Sequence, residues 1–128
     1  MPGRLLDSNA VIALQRGDPA LIALLSGTDR WFLNAVVLGE LYYGAYRSQR
    51  VTENLAVVDR WAAQVVVLPI DTVTARVFGE VHQQLRAKGR PIPENDIWIA
   101  ATALQHQLAV VTHDEHFNEV AGLSLLRW

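Results

Sequence analysis

Residues 96–112, DIWIAATALQHQLAVVT, decide the fold class of this chain. Their first part, DIWIAATALQHQ, has the pattern of a largely buried helix, and it passes directly into LAVVT, a continuously apolar run of strand length. A strand that is apolar at every position is expected where both faces of a parallel sheet are covered. A helix followed by such a strand is the repeating unit of an α/β fold.

The same alternation extends towards both ends of the chain. Further strand patterns are RLLD (residues 4–7), WFLNAVV (31–37), VVVLP (65–69) and LSLLR (123–127). Helix patterns lie between them: one capped by Ser8 or Asn9, one starting at Asp18 and Pro19, two over residues 38–47 and 52–63, and one from Asp71 to Gly89. We therefore predict a single domain over residues 1–128, a three-layer α/β/α fold around a mostly parallel sheet.

Composition narrows the class of protein. The 128 residues are 51% hydrophobic, enough for one core, and they include no cysteine, which excludes disulfides and cysteine-ligated zinc. No stretch has the length of a membrane span or the unbroken apolar run of a signal peptide. We expect a soluble cytoplasmic protein with no membrane association.

Four acidic residues occupy positions that a parallel sheet brings together. Asp7 ends the first strand, and Asp114 follows LAVVT by two residues. Glu40 lies near the start of the helix after the second strand, and Asp96 opens the buried helix. Because ligands of open parallel sheets bind outside the carboxyl ends of the strands, all four can point into one crevice. Taken singly, each also has an ordinary explanation as a cap, a turn residue or a solvated helix residue.

Carboxylates gathered in this way without a cation would have some of their pKa values raised or would be pushed apart. Two like charges 4 Å apart repel by roughly 4 kcal/mol at an effective dielectric of 20. Oxygen ligands suit Mg²⁺ or Mn²⁺ and suit zinc poorly, and Mg²⁺ sites are often completed by substrate phosphate. Setting four ligands aside changes the formal net charge from −2 to +2, so the charge does not argue against a nucleic-acid partner.

Five blocks of sequence, in order and nearly spanning the chain, carry a family resemblance. They are LLDSN (residues 5–9), VVLGELYYGA (36–45, with Ser48 and Asn54 after it), GRPIPENDIWIAATAL (89–104), VVTHDEHF (110–117) and AGLSLL (121–126). With this spacing they resemble the toxin subunits of VapBC-type toxin–antitoxin pairs, which are PIN-domain proteins.

The resemblance implies an enzyme and assigns its residues. The matching acidic quartet, which would bind metal and act in catalysis, is Asp7, Glu40, Asp96 and Asp114. Asn9 matches a small polar position that shapes the site, and Thr112 one that orients its neighbours. The implied activity is that of an endoribonuclease dependent on Mg²⁺, with Mn²⁺ as a substitute. It would hydrolyse phosphodiesters of structured tRNA or rRNA by a metal-activated water and leave 5′-phosphate and 3′-hydroxyl ends.

Two positions depart from the family pattern. Many relatives have asparagine where Asp114 stands and an acid where His116 stands, so the residue that completes the site is the least secure part of the assignment. Asn34 stands where serine or threonine is common, which alters a hydrogen bond behind the site.

Partners follow from the resemblance and from the surface residues. RNA phosphates would be held by basic residues that follow the Glu40 helix or precede Asp96: Arg47, Arg50, Arg86, Lys88 and Arg90. Tyr42, Tyr43 and Tyr46 favour an interface over base stacking. The resemblance further implies a homodimer and a cognate VapB-like antitoxin whose C-terminal segment fills the acidic groove.

Other functions fit the sequence less well. A haloacid-dehalogenase-like phosphatase with Asp7 as nucleophile needs a second aspartate where Asn9 stands. A receiver-like signalling domain needs a lysine near a later strand end, yet the only lysine, Lys88, lies at a helix end. The four histidines form no HExxH motif, so no histidine metal site is predicted. A PIN-like domain that binds RNA or a partner without cutting stays open.

Overall fold

The computed structural model describes residues 3–27 and 30–128 and contains one five-stranded sheet. Its strands are β1 (Arg4–Leu6), β2 (Trp31–Asn34), β3 (Val66–Leu68), β4 (Ala109–Val111) and β5 (Leu125–Leu126). The helices are α1 (Ser8–Gln15), α2 (Pro19–Leu25), α3 (Ala35–Tyr46), α4 (Val51–Gln64), α5 (Thr72–Ala87) and α6 (Glu94–His106), followed by the 3₁₀ helix η1 (Glu115–Glu119).

Every strand pairing in the sheet is parallel, and the strand order is β3-β2-β1-β4-β5. The chain adds β2 and β3 on one side of β1 and then returns to place β4 and β5 on the other side. The strand order therefore switches between β1 and β4, and a crevice opens at the carboxyl ends of these two strands. This arrangement confirms the predicted α/β/α architecture and sets the position of the site.

The core lies around the central strands and helix α6. Leu5 and Leu6 of β1 and Val110 and Val111 of β4 are fully buried, as expected for strands covered on both faces. Ile97 and Ile99 bury the first turns of α6 against them. None of the helices within the described residues is long and apolar enough to cross a membrane.

The predicted boundary between the second strand and its helix is wrong by three residues. Strand β2 ends at Asn34, whose side-chain Oδ1 accepts a hydrogen bond of 2.8 Å from the backbone N–H of Val37. This cap starts α3 at Ala35, so Val36 and Val37 are helical in spite of their β-branched side chains. Glu40 consequently lies in the second turn of α3 and not in its first.

Two other helix starts also differ from the prediction. Helix α1 is capped by Asp7 and not by Ser8 or Asn9, because the Asp7 carboxylate accepts a hydrogen bond from the backbone N–H of Ser8 at 2.7 Å. Helix α6 begins at Glu94, because the carbonyl of Pro93 already accepts from the N–H groups of Asp96 and Ile97. Asp96 is therefore the third residue of α6.

Candidate metal centre

Asp7 lies at the centre of the crevice, directly after β1. Its side chain is only 5% exposed, and burial raises its pKa from 3.8 to about 6. Hydrogen bonds from Thr112 and from the N–H of Ser8 oppose this rise, while the charges of Asp96 and Glu40 add to it. Asp7 is thus a buried acid whose ionised form is poorly compensated by the protein itself.

Thr112 links Asp7 to the end of β4. Its fully buried hydroxyl donates a hydrogen bond of 2.8 Å to Oδ2 of Asp7 and accepts one of 2.9 Å from the backbone N–H of Asp114. One hydroxyl therefore fixes the carboxylate after β1 and the backbone that carries the carboxylate after β4. This geometry agrees with the orienting role that the family resemblance implies for Thr112.

Glu40 reaches the crevice from α3 and is held there by two other helices. Oε1 of Glu40 accepts from the Ser8 hydroxyl at 3.2 Å, and Oε2 accepts from the Asn95 side-chain amide at 3.3 Å. Neither Ser8 nor Asn95 is prominent in the sequence, because each meets Glu40 only through the tertiary fold. Asn9, the residue expected to shape the site, has an exposed side chain, and its role stays a prediction.

Asp96 and Asp114 meet around His116, which sequence reasoning left out of the site. His116 Nδ1 lies 2.8 Å from Oδ2 of Asp96 and 3.0 Å from Oδ1 of Asp114. Burial raises the pKa of Asp96, with the His116 hydrogen bond opposing the rise and the charge of Asp114 adding to it. The hydrogen bond to Asp96, followed by the charges of both aspartates, raises the pKa of His116. Two sequence signals pointed to this contact: the spacing of two residues from Asp114 and the departure from the family pattern at His116.

The four predicted acids thus come together at one edge of the sheet. The charges of Glu40 and Asp96 raise the pKa of Asp7, and the charge of Asp114 raises the pKa of Asp96. Within residues 3–27 and 30–128, no lysine or arginine forms an ion pair with any of these carboxylates. An oxygen-rich, acidic cluster that lacks a lysine or arginine partner among these residues fits a hard divalent cation.

A groove of about 750 Å³ runs away from the cluster between α1, α3 and α4. Ser8, Glu40 and Asn95 line the end nearest the acids, and Tyr43 and Arg47 line another part. Of the basic residues predicted to contact RNA, Arg47 lines the same groove as Glu40. Its guanidinium lies 5.3 Å from the ring centroid of Tyr43.

The other predicted basic residues have different surroundings. Lys88 pairs with Glu119 at 3.6 Å, and Arg50 pairs with Glu53 at 3.2 Å, so each already has an acidic neighbour. Arg90 lines a smaller cleft beside His116, and Arg86 lies exposed in the last turn of α5.

The three tyrosines of α3 point to the surface. Tyr43 and Tyr46 are 64% and 65% exposed, while the hydroxyl of Tyr42 donates to Asp59 of α4. A core role for Tyr43 and Tyr46 is therefore excluded, which is consistent with the interface that the sequence favours.

Comparison with known proteins agrees with this geometry. The PIN domain family matches residues 4–123. A relative from Shigella flexneri named tRNA(fMet)-specific endonuclease VapC is 32% identical over 97% of this chain and 96% of its own. The structure of DNA-bound VapBC from Salmonella typhimurium superposes with a TM-score of 0.90 at 30% identity, covering 100% of this chain and 99% of that one.

A second solved structure gives the same fold. VapBC-5 from Mycobacterium tuberculosis, described as a member of the VapBC family of toxin–antitoxin systems, has a TM-score of 0.78 at 30% identity and covers 99% of this chain and 98% of its own. The family match extends over nearly the whole chain, and these relatives are similar along their full length. The chain belongs to the PIN-domain family and, within it, to the VapC proteins.

Proposed function

We propose that this chain is a divalent-metal-dependent endoribonuclease and the toxin of a toxin–antitoxin pair. The observation that carries the proposal is the buried carboxylate of Asp7, which is held by Thr112 and Ser8. It lies beside three further acids that form no ion pair with a lysine or arginine among the described residues. Burying a charge in this way is unfavourable unless an ion compensates it. The name of the Shigella flexneri relative supports RNA, and tRNA in particular, as the substrate.

The proposed ligands are Asp7 and Asp96, with Glu40 and Asp114 completing the shell or orienting water. Mg²⁺ is the proposed ion and Mn²⁺ a substitute, and the cation would activate a water molecule and neutralise charge that develops on the phosphate. Thr112 holds Asp7 and the Asp114 backbone in register, and Ser8 and Asn95 hold Glu40. These contacts fix the carboxylates before substrate arrives, which lowers the cost of reorganisation during the reaction.

The test is cleavage of total RNA by the purified chain in Mg²⁺, with EDTA as the matched condition. We expect cleavage only with the divalent cation, because four carboxylates without an ion repel the phosphate backbone, and we expect 5′-phosphate and 3′-hydroxyl ends. RNA that is bound but not cut would favour the non-catalytic alternative. Ends with 2′,3′-cyclic phosphate would contradict the proposed hydrolysis.

Arg47 is proposed to contact an RNA phosphate in the groove beside Glu40. Replacing Arg47 with alanine, in an Asp7→Asn background that prevents cleavage, is expected to reduce the slope of log affinity against log salt by about 0.7. Fluorescence anisotropy with a labelled RNA between low and moderate salt measures that slope. The control is Arg76→Ala, which removes an arginine that is paired with Glu80 on α5. An equal change of slope in both variants would show that Arg47 makes no specific contact with the RNA.

Partners and domain organisation extend the same proposal. The description of VapBC-5 as part of a toxin–antitoxin system supports a VapB-like antitoxin as partner. The exposed Tyr43 and Tyr46 support an interface on α3, consistent with a homodimer. One sheet joins strands from Arg4 to Leu126, which supports a single domain over residues 1–128.

A further inference from the structure

The Nδ1 atom of His116 lies among the carboxylates of the acidic cluster, at a position suited to a metal ligand. Oδ2 of Asp96 and Oδ1 of Asp114 lie 2.8 Å and 3.0 Å from Nδ1 of His116, and one potential ligand atom from each of the three residues lies within 4.8 Å of the others. His116 comes from η1, whereas Asp96 comes from α6, so the contact depends on the tertiary fold.

Local structure holds the imidazole in this position. Oδ1 of Asp114 accepts a hydrogen bond of 2.9 Å from the backbone N–H of His116, which starts η1 and turns the ring back towards the carboxylates. The next residue, Phe117, is fully buried and anchors η1 in the core. Thr112 fixes the backbone of Asp114 from the other side. The ring therefore approaches the acids from a segment fixed at three points.

These contacts are hydrogen-bond contacts of the imidazole, and once Nδ1 gives up its proton the same distances match those between neighbouring ligands of one ion. In an octahedral site with bonds of about 2.1 Å, adjacent ligand atoms are roughly 3.0 Å apart. We infer that His116 Nδ1 binds the same cation as Asp96 and Asp114, which gives the centre a mixed nitrogen and oxygen ligand set. Because imidazole favours transition metals over Mg²⁺, the centre binds Mn²⁺ more tightly than an all-carboxylate site would. This inference rests on the proposed function, because it concerns the same metal centre.

The other histidines have different surroundings. His113 stacks on Trp128 with ring centroids 3.6 Å apart, and His82 contacts Phe78 edge to face at 5.6 Å. His106 lies exposed at the C-terminal end of α6. These three residues provide matched controls within the same chain.

The test compares the dissociation constants of Mn²⁺ and Mg²⁺ by calorimetry in the wild type, His116→Ala and the control His106→Ala. His116 is half exposed, so its removal is expected to leave the fold intact. In His116→Ala the preference for Mn²⁺ over Mg²⁺ should fall by roughly tenfold or more, with Mg²⁺ affinity nearly unchanged. His106→Ala should keep the wild-type preference.

Pulsed electron paramagnetic resonance of bound Mn²⁺ gives a direct readout. Modulation from a directly bonded ¹⁴N nucleus should appear in the wild type and in His106→Ala and should vanish in His116→Ala. Mn²⁺ binding without ¹⁴N modulation, or an unchanged preference in His116→Ala, overturns the inference, and the proposed ribonuclease stands if RNA is still cut. Binding of neither ion to the wild type overturns both.

Discussion

Replacing Asp7 with asparagine should abolish RNA cleavage and, in the absence of divalent cation, stabilise the folded protein. The cleavage rate is expected to fall by on the order of 10³-fold, because a proposed principal ligand of the cation is lost. The free energy of unfolding at pH 7.5 in EDTA should rise by about 1–3 kcal/mol. Both effects come from the same carboxylate, whose burial raises its pKa to about 6.

The stabilisation has a definite pH dependence. In the folded chain Asp7 keeps its proton until the pH nears 6, whereas in the unfolded chain it loses it near 3.8. The stability of the wild type should therefore fall as the pH rises through this window and stay lower above it. A pKa shift of this size corresponds to about 3 kcal/mol of lost stability in the wild type. The Asp7→Asn variant would recover only part of this free energy, because an amide oxygen accepts hydrogen bonds less well than a carboxylate. Urea unfolding in EDTA at pH 4 and pH 7.5 measures the difference.

Asp59→Asn is the matched control for Asp7→Asn. Asp59 is exposed on α4 and hydrogen-bonds to Tyr42, so its replacement removes an equal charge outside the cluster. It should retain cleavage and show no stabilisation that grows with pH. Adding Mg²⁺ should stabilise the wild type and the Asp59 variant but have little effect on Asp7→Asn. A lower stability of Asp7→Asn than of wild type at pH 7.5 in EDTA would contradict the argument.

Much of the fold follows from local patterns in the sequence. LAVVT reads as a buried strand because it is apolar at every position, and it forms β4 as predicted, with Val110 and Val111 fully buried. The rule that ligands bind at carboxyl ends of parallel strands was enough to put Asp7 and Asp114 on one edge. The placement of Glu40 and Asp96 in the same crevice depended on helix starts, which sequence patterns locate less accurately. The family resemblance supplied their assignment.

The parts that sequence reasoning missed depend on contacts between distant segments. Ser8 and Asn95 meet Glu40 from 32 and 55 residues away, and no periodic pattern marks such pairs. His116 turns towards Asp96 only because Asp114 caps a short 3₁₀ helix, an element too brief to have a hydrophobic period. The sequence pattern places Asn34 inside a longer strand. Its role as a helix cap becomes visible only in the structure, where Val36 and Val37 are helical.

Replacing Asn34 with alanine should lower the free energy of unfolding by about 2–4 kcal/mol. Asn34 is fully buried, and its Oδ1 caps α3 through the N–H of Val37. Its Nδ2 donates to the hydroxyl of Thr102 at 3.2 Å and to the carbonyl of Trp98 at 3.5 Å, both in α6. Alanine would leave a buried N–H without a partner and remove the polar link between α3 and α6. Urea unfolding measures the loss, and a change below about 0.5 kcal/mol would contradict this account.

The conservative variant Asn34→Thr separates the two roles of Asn34. A threonine hydroxyl can still cap α3, so most of the stability should return relative to alanine. Threonine cannot reproduce the amide donors to α6. Cleavage should recover less than stability, because Glu40 lies on α3 and Asp96 on α6, and the amide of Asn34 fixes one helix against the other. The control Asn54→Ala removes a partly buried amide that bonds Ser48 outside this pair of helices, and its loss of stability should not depend on the contact between α3 and α6. Equal recovery of cleavage and stability in Asn34→Thr would show that the cap alone sets the position of Glu40.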